Sequence, residues 1–336
     1  MIYPKFLCKG DIIGVTAPSD GKVDKIDLVR LDNAYSKLES KGYSIMETLN
    51  VRKSINGRSS SAKERALQLE ELFKNNDIKV IVSANGGEFL IEILPYIDFR
   101  IIKNNPKWFC GYSDNTGISF VITTMLDIAS IYSDNIASFG MNRWHSSINN
   151  YLNILEGNIN EQKSYNKYQD GYNKYVTGLE GYNLTKDVYW KNIPNIDINI
   201  SGRFIGGCLD ILLSLVGTKY DCVDKFINKY KDDGIIWYLE SCDLNCEGVV
   251  RGLWQLKEAG WFKYVKGFIF GRPATKSSVY DISYEDSVMS VLKELKVPVI
   301  LDADFGHIPP RMTLINGSYV EITSCNGKGS INTILK

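Results

Sequence analysis

The sequence predicts an α/β protein: an N-terminal domain built on a largely parallel sheet, then a C-terminal mixed α/β domain. Three observations predict this. Short β-branched or aromatic runs alternate with stretches whose apolar residues recur every three or four positions, the periods of strand and helix. The connections are short and polar, as βα units require. A segment poor in aliphatic residues, 146–198, parts the chain into two such alternations, 1–145 and 199–336.

In the first alternation, "DIIGVTAPS" (11–19) is a β-branched strand running into a Pro-Ser turn. Leu28, Leu31, Tyr35 and Leu38 then form one helical stripe, with Gly42 as its stop. "YSIMETLNV" is a second strand. Ser61 and Glu64 have capping-box spacing, and Ala66, Leu69 and Phe73 follow on one helical face. "IKVIVSANGG" (78–87) is a buried strand entering a glycine turn, and "EFLIEILPYI" begins a helix. "KWFCGY" is a strand and "TGISFVITTMLDI" a helix. In open parallel sheets ligands sit in the loops that leave the strand ends, so "SANGGE" and "CGYSDNT" are the loops to watch.

The segment "NEQKSYNKYQDGYNKYVTGLEGYNLTKDVYWKN" is rich in Asn, Lys and Tyr and reads as a solvated connector with extended or hairpin pieces. A sharper reading has it cover a substrate through Tyr182, Tyr189 or Trp190. Beyond it, "GIIWYLES", "VKGFIFGRP" and "VPVILDADFGH" are strands, and "VVRGLWQLKEAGWF" is a helix. "GRFIGGCLD" is neither G-x-G-x-x-G nor a P-loop, so a glycine turn packed under a helix is preferred to a nucleotide site.

Composition narrows the classes. A chain of 336 residues is long for one domain and needs no disulfide or metal staple. With 39 basic and 39 acidic side chains it has no general pull toward nucleic acid or anionic membrane. No apolar run is long enough to span a membrane. The seven cysteines are odd in number and scattered, as reduced thiols of a cytoplasmic protein would be, and no secretory signal opens the chain. Cys242-x-x-x-Cys246 lacks the second pair and the histidine of a zinc site.

Only two histidines are present, which shortens the search for a general base. His307 lies on a strand-end loop pinned by two prolines, and His145 opens the polar connector. Ser113 has a strand before it, Gly111 two residues earlier and a helix after it, the outline of a nucleophile elbow. Asn115 stands where such an elbow has its second glycine, and on the residues alone Ser113 or Asp114 capping the helix is the preferred reading. Gly86 and Gly87 supply backbone N–H groups that an oxyanion hole would need, or simply a tight turn. Glu240 ends an apolar strand, where it is either solvated or set to orient a histidine. Asp302, Asp304 and His307 make a rival divalent-metal set.

Together, "GDIIGVTAPS", "NGGE", "GYSDNT", "GRFIGGCLDILLSLVGT", "WYLES" and "ILDADFGH…TLINGS" resemble, in order and over nearly the whole chain, the LD-carboxypeptidases and their relatives the microcin C immunity proteins. The resemblance implies a cofactor-free cytosolic serine peptidase whose site lies between two domains, usually in a homodimer. It places the nucleophile at Ser113, the triad acid at Glu240 and the base at His307. The backbone N–H groups of Asp114 and of Gly86 or Gly87 then form the oxyanion hole. Two substrate classes follow: an amide joining an aminoacyl group to a modified nucleotide, or the terminal D-alanine of a murein tetrapeptide. The Tyr-rich connector, with Trp190 available to stack on a base, favours the first. A metallohydrolase and a non-catalytic binder are the readings from other classes.

Overall fold

The computed structural model describes all residues, Met1–Lys336. The chain forms two compact units, Met1–Ile159 with Asn173–Tyr182, and Asn160–Tyr172 with Asn183–Lys336.

The first unit is a parallel sheet flanked by helices. Its elements are β1 (Ile12–Thr16), α1 (Lys25–Ser40), β2 (Ser44–Glu47), α2 (Ala62–Lys74), β3 (Ile78–Ser83), α3 (Phe99–Asn104), β4 (Trp108–Gly111), α4 (Thr116–Leu126), β5 (Ser130–Tyr132) and α5 (Ser146–Leu155). The strands lie in the order β5-β4-β3-β1-β2, every pair of them parallel. β4 is buried along its whole length and β3 nearly so, because helices cover both faces of a parallel sheet.

Local signals act where expected. Ser61 Oγ accepts from Glu64 N at the start of α2, and Leu31 and Leu38 are buried on α1. "EFLIEILPYI" differs: it forms a 3₁₀ helix, Leu90–Tyr96, with Pro95 inside it. Proline has no N–H for an α-helical bond and crowds the preceding turn, so the tighter, shorter form results.

The second unit has strand order β6-β16-β15-β10-β11-β12-β13-β9. The flanking pieces are β6 (Gln162–Lys163) and β9 (Lys191–Ile193), with β7 (Lys167–Gln169) and β8 (Leu184–Asp187) forming a separate antiparallel pair. The centre is β10 (Ile198–Cys208), β11 (Ile235–Glu240), β12 (Val265–Gly271) and β13 (Val299–Ala303), all parallel. Helices α6 (Leu209–Leu215), α7 (Val223–Lys229), α8 (Cys246–Glu258) and α9 (Tyr284–Leu292) connect them. After the short β14 (Leu314–Asn316), β15 (Tyr319–Cys325) and β16 (Lys328–Ile334) complete the sheet antiparallel.

The glycines of "GRFIGGCLD" lie in strand β10 rather than in a turn. A Cβ at Gly206 would stand 1.7 Å from the Tyr238 carbonyl oxygen, so glycine there lets β10 and β11 approach. No helix is long and apolar enough to cross a membrane.

Candidate active site

Ser113 lies two residues beyond the end of β4, and its backbone is left-handed, φ 63°. A non-glycine residue there costs of order 1–3 kcal/mol and persists only when its surroundings over-determine it. Three contacts do so. The Ser113 N–H donates to Tyr132 Oη at 3.3 Å. Asn115 Nδ2 donates to the Tyr112 carbonyl at 3.1 Å and to the Asn85 carbonyl at 3.0 Å. Asn115 therefore uses the place of the elbow's second glycine to tie the serine turn to the Asn85-Gly86-Gly87 loop. The first glycine, Gly111, is needed because a Cβ there would come within 2.9 Å of the Asn115 side chain.

That loop lies directly against the serine. A Cβ on Gly86 would be 3.2 Å from Ser113 Cβ, 3.3 Å from its Oγ and 4.0 Å from Asp114 N. Gly87 has φ 148°, and a Cβ there would fall 2.3 Å from Ser19 Oγ. Gly86 thus brings bare backbone beside the Ser113 hydroxyl and the amide that follows it, the setting an oxyanion hole requires.

Asp114 does not cap α4, which begins without a side-chain cap. Its buried Oδ2 accepts from Ser19 Oγ at 2.5 Å and from Leu90 N at 2.9 Å. Burial raises the Asp114 carboxyl above the ordinary aspartate value, against the pull of these hydrogen bonds.

The second unit holds the other cluster. Glu240 is the last residue of β11 and fully buried. Its Oε2 is 2.8 Å from His307 Nδ1, a hydrogen bond that fixes the imidazole's orientation. Gly306, φ 93°, permits the approach, since a Cβ there would be 2.9 Å from Glu240 Cβ and 3.0 Å from Oε2.

Two residues that the sequence did not single out for this role hold the cluster. The buried Arg311 donates from Nε to the Gly306 carbonyl at 2.5 Å and from Nη2 to the His307 carbonyl at 2.7 Å. Asp210 accepts from the N–H groups of Cys242, Asp243 and Leu244 at 3.1, 2.9 and 3.1 Å, fixing the turn that leaves Glu240. The only signal for Asp210 was its place at the end of the glycine-rich strand.

Other expectations are corrected. Asp304 is not open to a metal: Oδ1 accepts from Arg272 Nη2 at 2.6 Å, and Oδ2 from Trp190 Nε1 at 2.9 Å and Tyr165 N at 3.2 Å. Asp302 pairs with Lys276. The set Asp302, Asp304 and His307 is thereby broken by ion pairs that already neutralise its carboxylates. Trp190 is 1% exposed, and its ring packs on Gly329, so it presents no face to a base. His145 is the N-cap of α5, its Nδ1 accepting from Ser147 N at 3.2 Å. Its ring lies against Tyr182, while Tyr189 is exposed.

Comparison with known proteins supplies the family. The model of the LD-carboxypeptidase N-terminal domain matches residues 13–133. That of the LD-carboxypeptidase C-terminal domain matches residues 201–322. A Vibrio cholerae protein named as a carboxypeptidase is 28% identical over 93% of this chain and 92% of its own length. The Microcin C7 self-immunity protein MccF of Escherichia coli is 27% identical over 88% of this chain and 85% of its own. A solved structure of MccF in complex with aspartyl sulfamoyl adenosine superposes with TM-score 0.79 and 25% identity, covering 100% of this chain and 99% of that one. The crystal structure of an MccF-like protein from Bacillus anthracis gives TM-score 0.83 at 26% identity, with both chains covered in full. The two matched domains span most of the sequence, and the chain belongs to the LD-carboxypeptidase family of peptidases.

Proposed function

We propose that the protein is a serine amide hydrolase in which Ser113 is the nucleophile, His307 the base and Glu240 the residue that orients the base. The observation that carries this is the left-handed Ser113 at the end of β4, held with bare glycine backbone against its hydroxyl. The hydrogen-bonded Glu240–His307 pair supplies the remaining chemistry.

His307 takes the Ser113 proton as the alkoxide attacks the substrate carbonyl. The N–H groups of Asp114 and of Gly86 or Gly87 donate to the developing oxyanion. His307 then gives its proton to the leaving amine. Water, activated by the same imidazole, cleaves the acyl-enzyme.

The substrate we favour is an aminoacyl-nucleotide amide. MccF, solved with aspartyl sulfamoyl adenosine, supports this class. The second reading, release of terminal D-alanine from a murein tetrapeptide, rests on the matched family models. We take the working form to be a cytoplasmic homodimer, in keeping with the family resemblance and with seven cysteines that form no disulfide.

The test sets aspartyl sulfamoyl adenosine beside murein tetrapeptide, with wild-type protein and Ser113→Ala. Turnover of the first by wild type alone establishes both mechanism and class. D-alanine release by wild type alone moves the substrate to murein. Turnover by both proteins sinks the serine mechanism. Binding of either ligand without turnover would make the protein a binder. Light scattering on the purified chain reads the dimer.

A further inference from the structure

We infer that Cys208, Glu240 and His307 form a binding site for a soft divalent cation, Zn²⁺ foremost, whose occupancy switches the hydrolase off. One ligand atom from each residue lies within 4.8 Å of the other two. The inhibitory consequence rests on the proposed function; the cation site does not.

The fold builds this cluster from its backbone. Cys208 ends β10 and Glu240 ends β11, and they are register partners on adjacent parallel strands. Side chains of register partners project from the same face of a sheet. His307 arrives from the loop after β13, brought close by Gly306. All three residues are buried, and His307, 6% exposed, is the least so.

Thiolate, imidazole and carboxylate are the ligands zinc prefers, and three protein ligands with one open position is a recurrent zinc arrangement. In a tetrahedral zinc site such atoms stand about 3.5 Å apart, within side-chain rotation of the separations here. The surroundings favour a cation: the Cys208 thiol donates to Asp210 Oδ2 at 3.4 Å, a second carboxylate beside the cluster. Burial, and then the Glu240 and Asp210 charges, push the Cys208 thiol up from its ordinary value. Zn²⁺ would displace the thiol proton to solvent and bind sulfur, while its bond to His307 removes the lone pair that must accept the serine proton.

The experiment titrates Co²⁺ into chelator-treated full-length protein and follows the thiolate-to-metal charge-transfer band, with Zn²⁺ then displacing it. Wild type and Ser113→Ala should each bind one equivalent with that band, whether or not the protein hydrolyses any substrate tried. Cys208→Ser should lose the band, and His307→Gln should bind at least about tenfold more weakly. Melting curves check that the variants fold, and Cys208→Ala replaces Cys208→Ser if the latter does not. No band at stoichiometric Co²⁺, or a band that persists in Cys208→Ser, overturns the site. Where turnover is measurable, Zn²⁺ should inhibit wild type and inhibit Cys208→Ser at least about tenfold less well. Full binding with unchanged turnover would remove the switch.

Discussion

The two residue clusters are built by opposite means. Around Ser113 the material is backbone: a left-handed serine, a Gly86-Gly87 loop whose second glycine admits no Cβ, and an asparagine tying the two together. Around His307 it is side chains: a buried carboxylate on the imidazole, a guanidinium on the loop carbonyls and a second carboxylate on the loop amides. Strain needs rigid neighbours to persist, whereas buried polar groups need every partner present. The first cluster should therefore be broken by adding atoms, and the second by removing them.

The largest effect tests whether the two clusters act together. Ser113→Ala should lower turnover about 10⁴-fold or more while leaving the melting temperature near that of wild type. A smaller loss, read in the same hydrolysis assay, would take the nucleophile away from this turn. Glu240→Gln comes next, with a loss approaching 10⁴-fold, because an amide in place of the carboxylate favours the wrong imidazole tautomer. Combining it with Ser113→Ala should cost little more than the serine change alone, since the residues of a triad act as a unit. Additive losses would separate the clusters.

Steric additions sharpen the contrast. Gly87→Ala should destabilise the protein by about 1–3 kcal/mol in urea unfolding, because the position combines positive φ with a colliding Cβ. Removing a partner should do similar harm on the His307 side. Arg311→Met leaves the Gly306 and His307 carbonyls without that donor, costing about 1–3 kcal/mol. It should lower kcat more than it raises KM.

The smallest effect is in pH dependence. Because the Asp114 carboxyl is raised in the folded state, the native protein holds its proton to higher pH than the unfolded chain does. Stability from this group is therefore full below the ordinary aspartate value and is lost as pH rises through the folded one. Asp114→Asn should flatten that decline in urea unfolding followed from acid to neutral pH. An unchanged slope would remove Asp114 as its source.

Much of the first unit was legible in the sequence because its signals are local. The Ser61 cap, the apolar stripe of α2 and the strand before "SANGG" depend on neighbours three or four positions away. Pro95 was equally visible, and its effect on "EFLIEILPYI" follows from its missing N–H. Trp190 and Asp304 show where such reading stops. An aromatic and an acid are each chemically open until their partners are known. Here Trp190 donates to Asp304, and Asp304 also pairs with Arg272.

By itself the sequence determined the alternation of strands and helices, and it put Ser113, Glu240 and His307 at strand ends, since periodicity and turn residues act over short range. Only the tertiary structure decided that Glu240 meets His307, that Gly86 lies against Ser113, and that Asp210 and Arg311 hold the loops. Those contacts join residues distant along the chain or depend on backbone conformation, and three-dimensional packing selects among partners that one-dimensional spacing leaves equal.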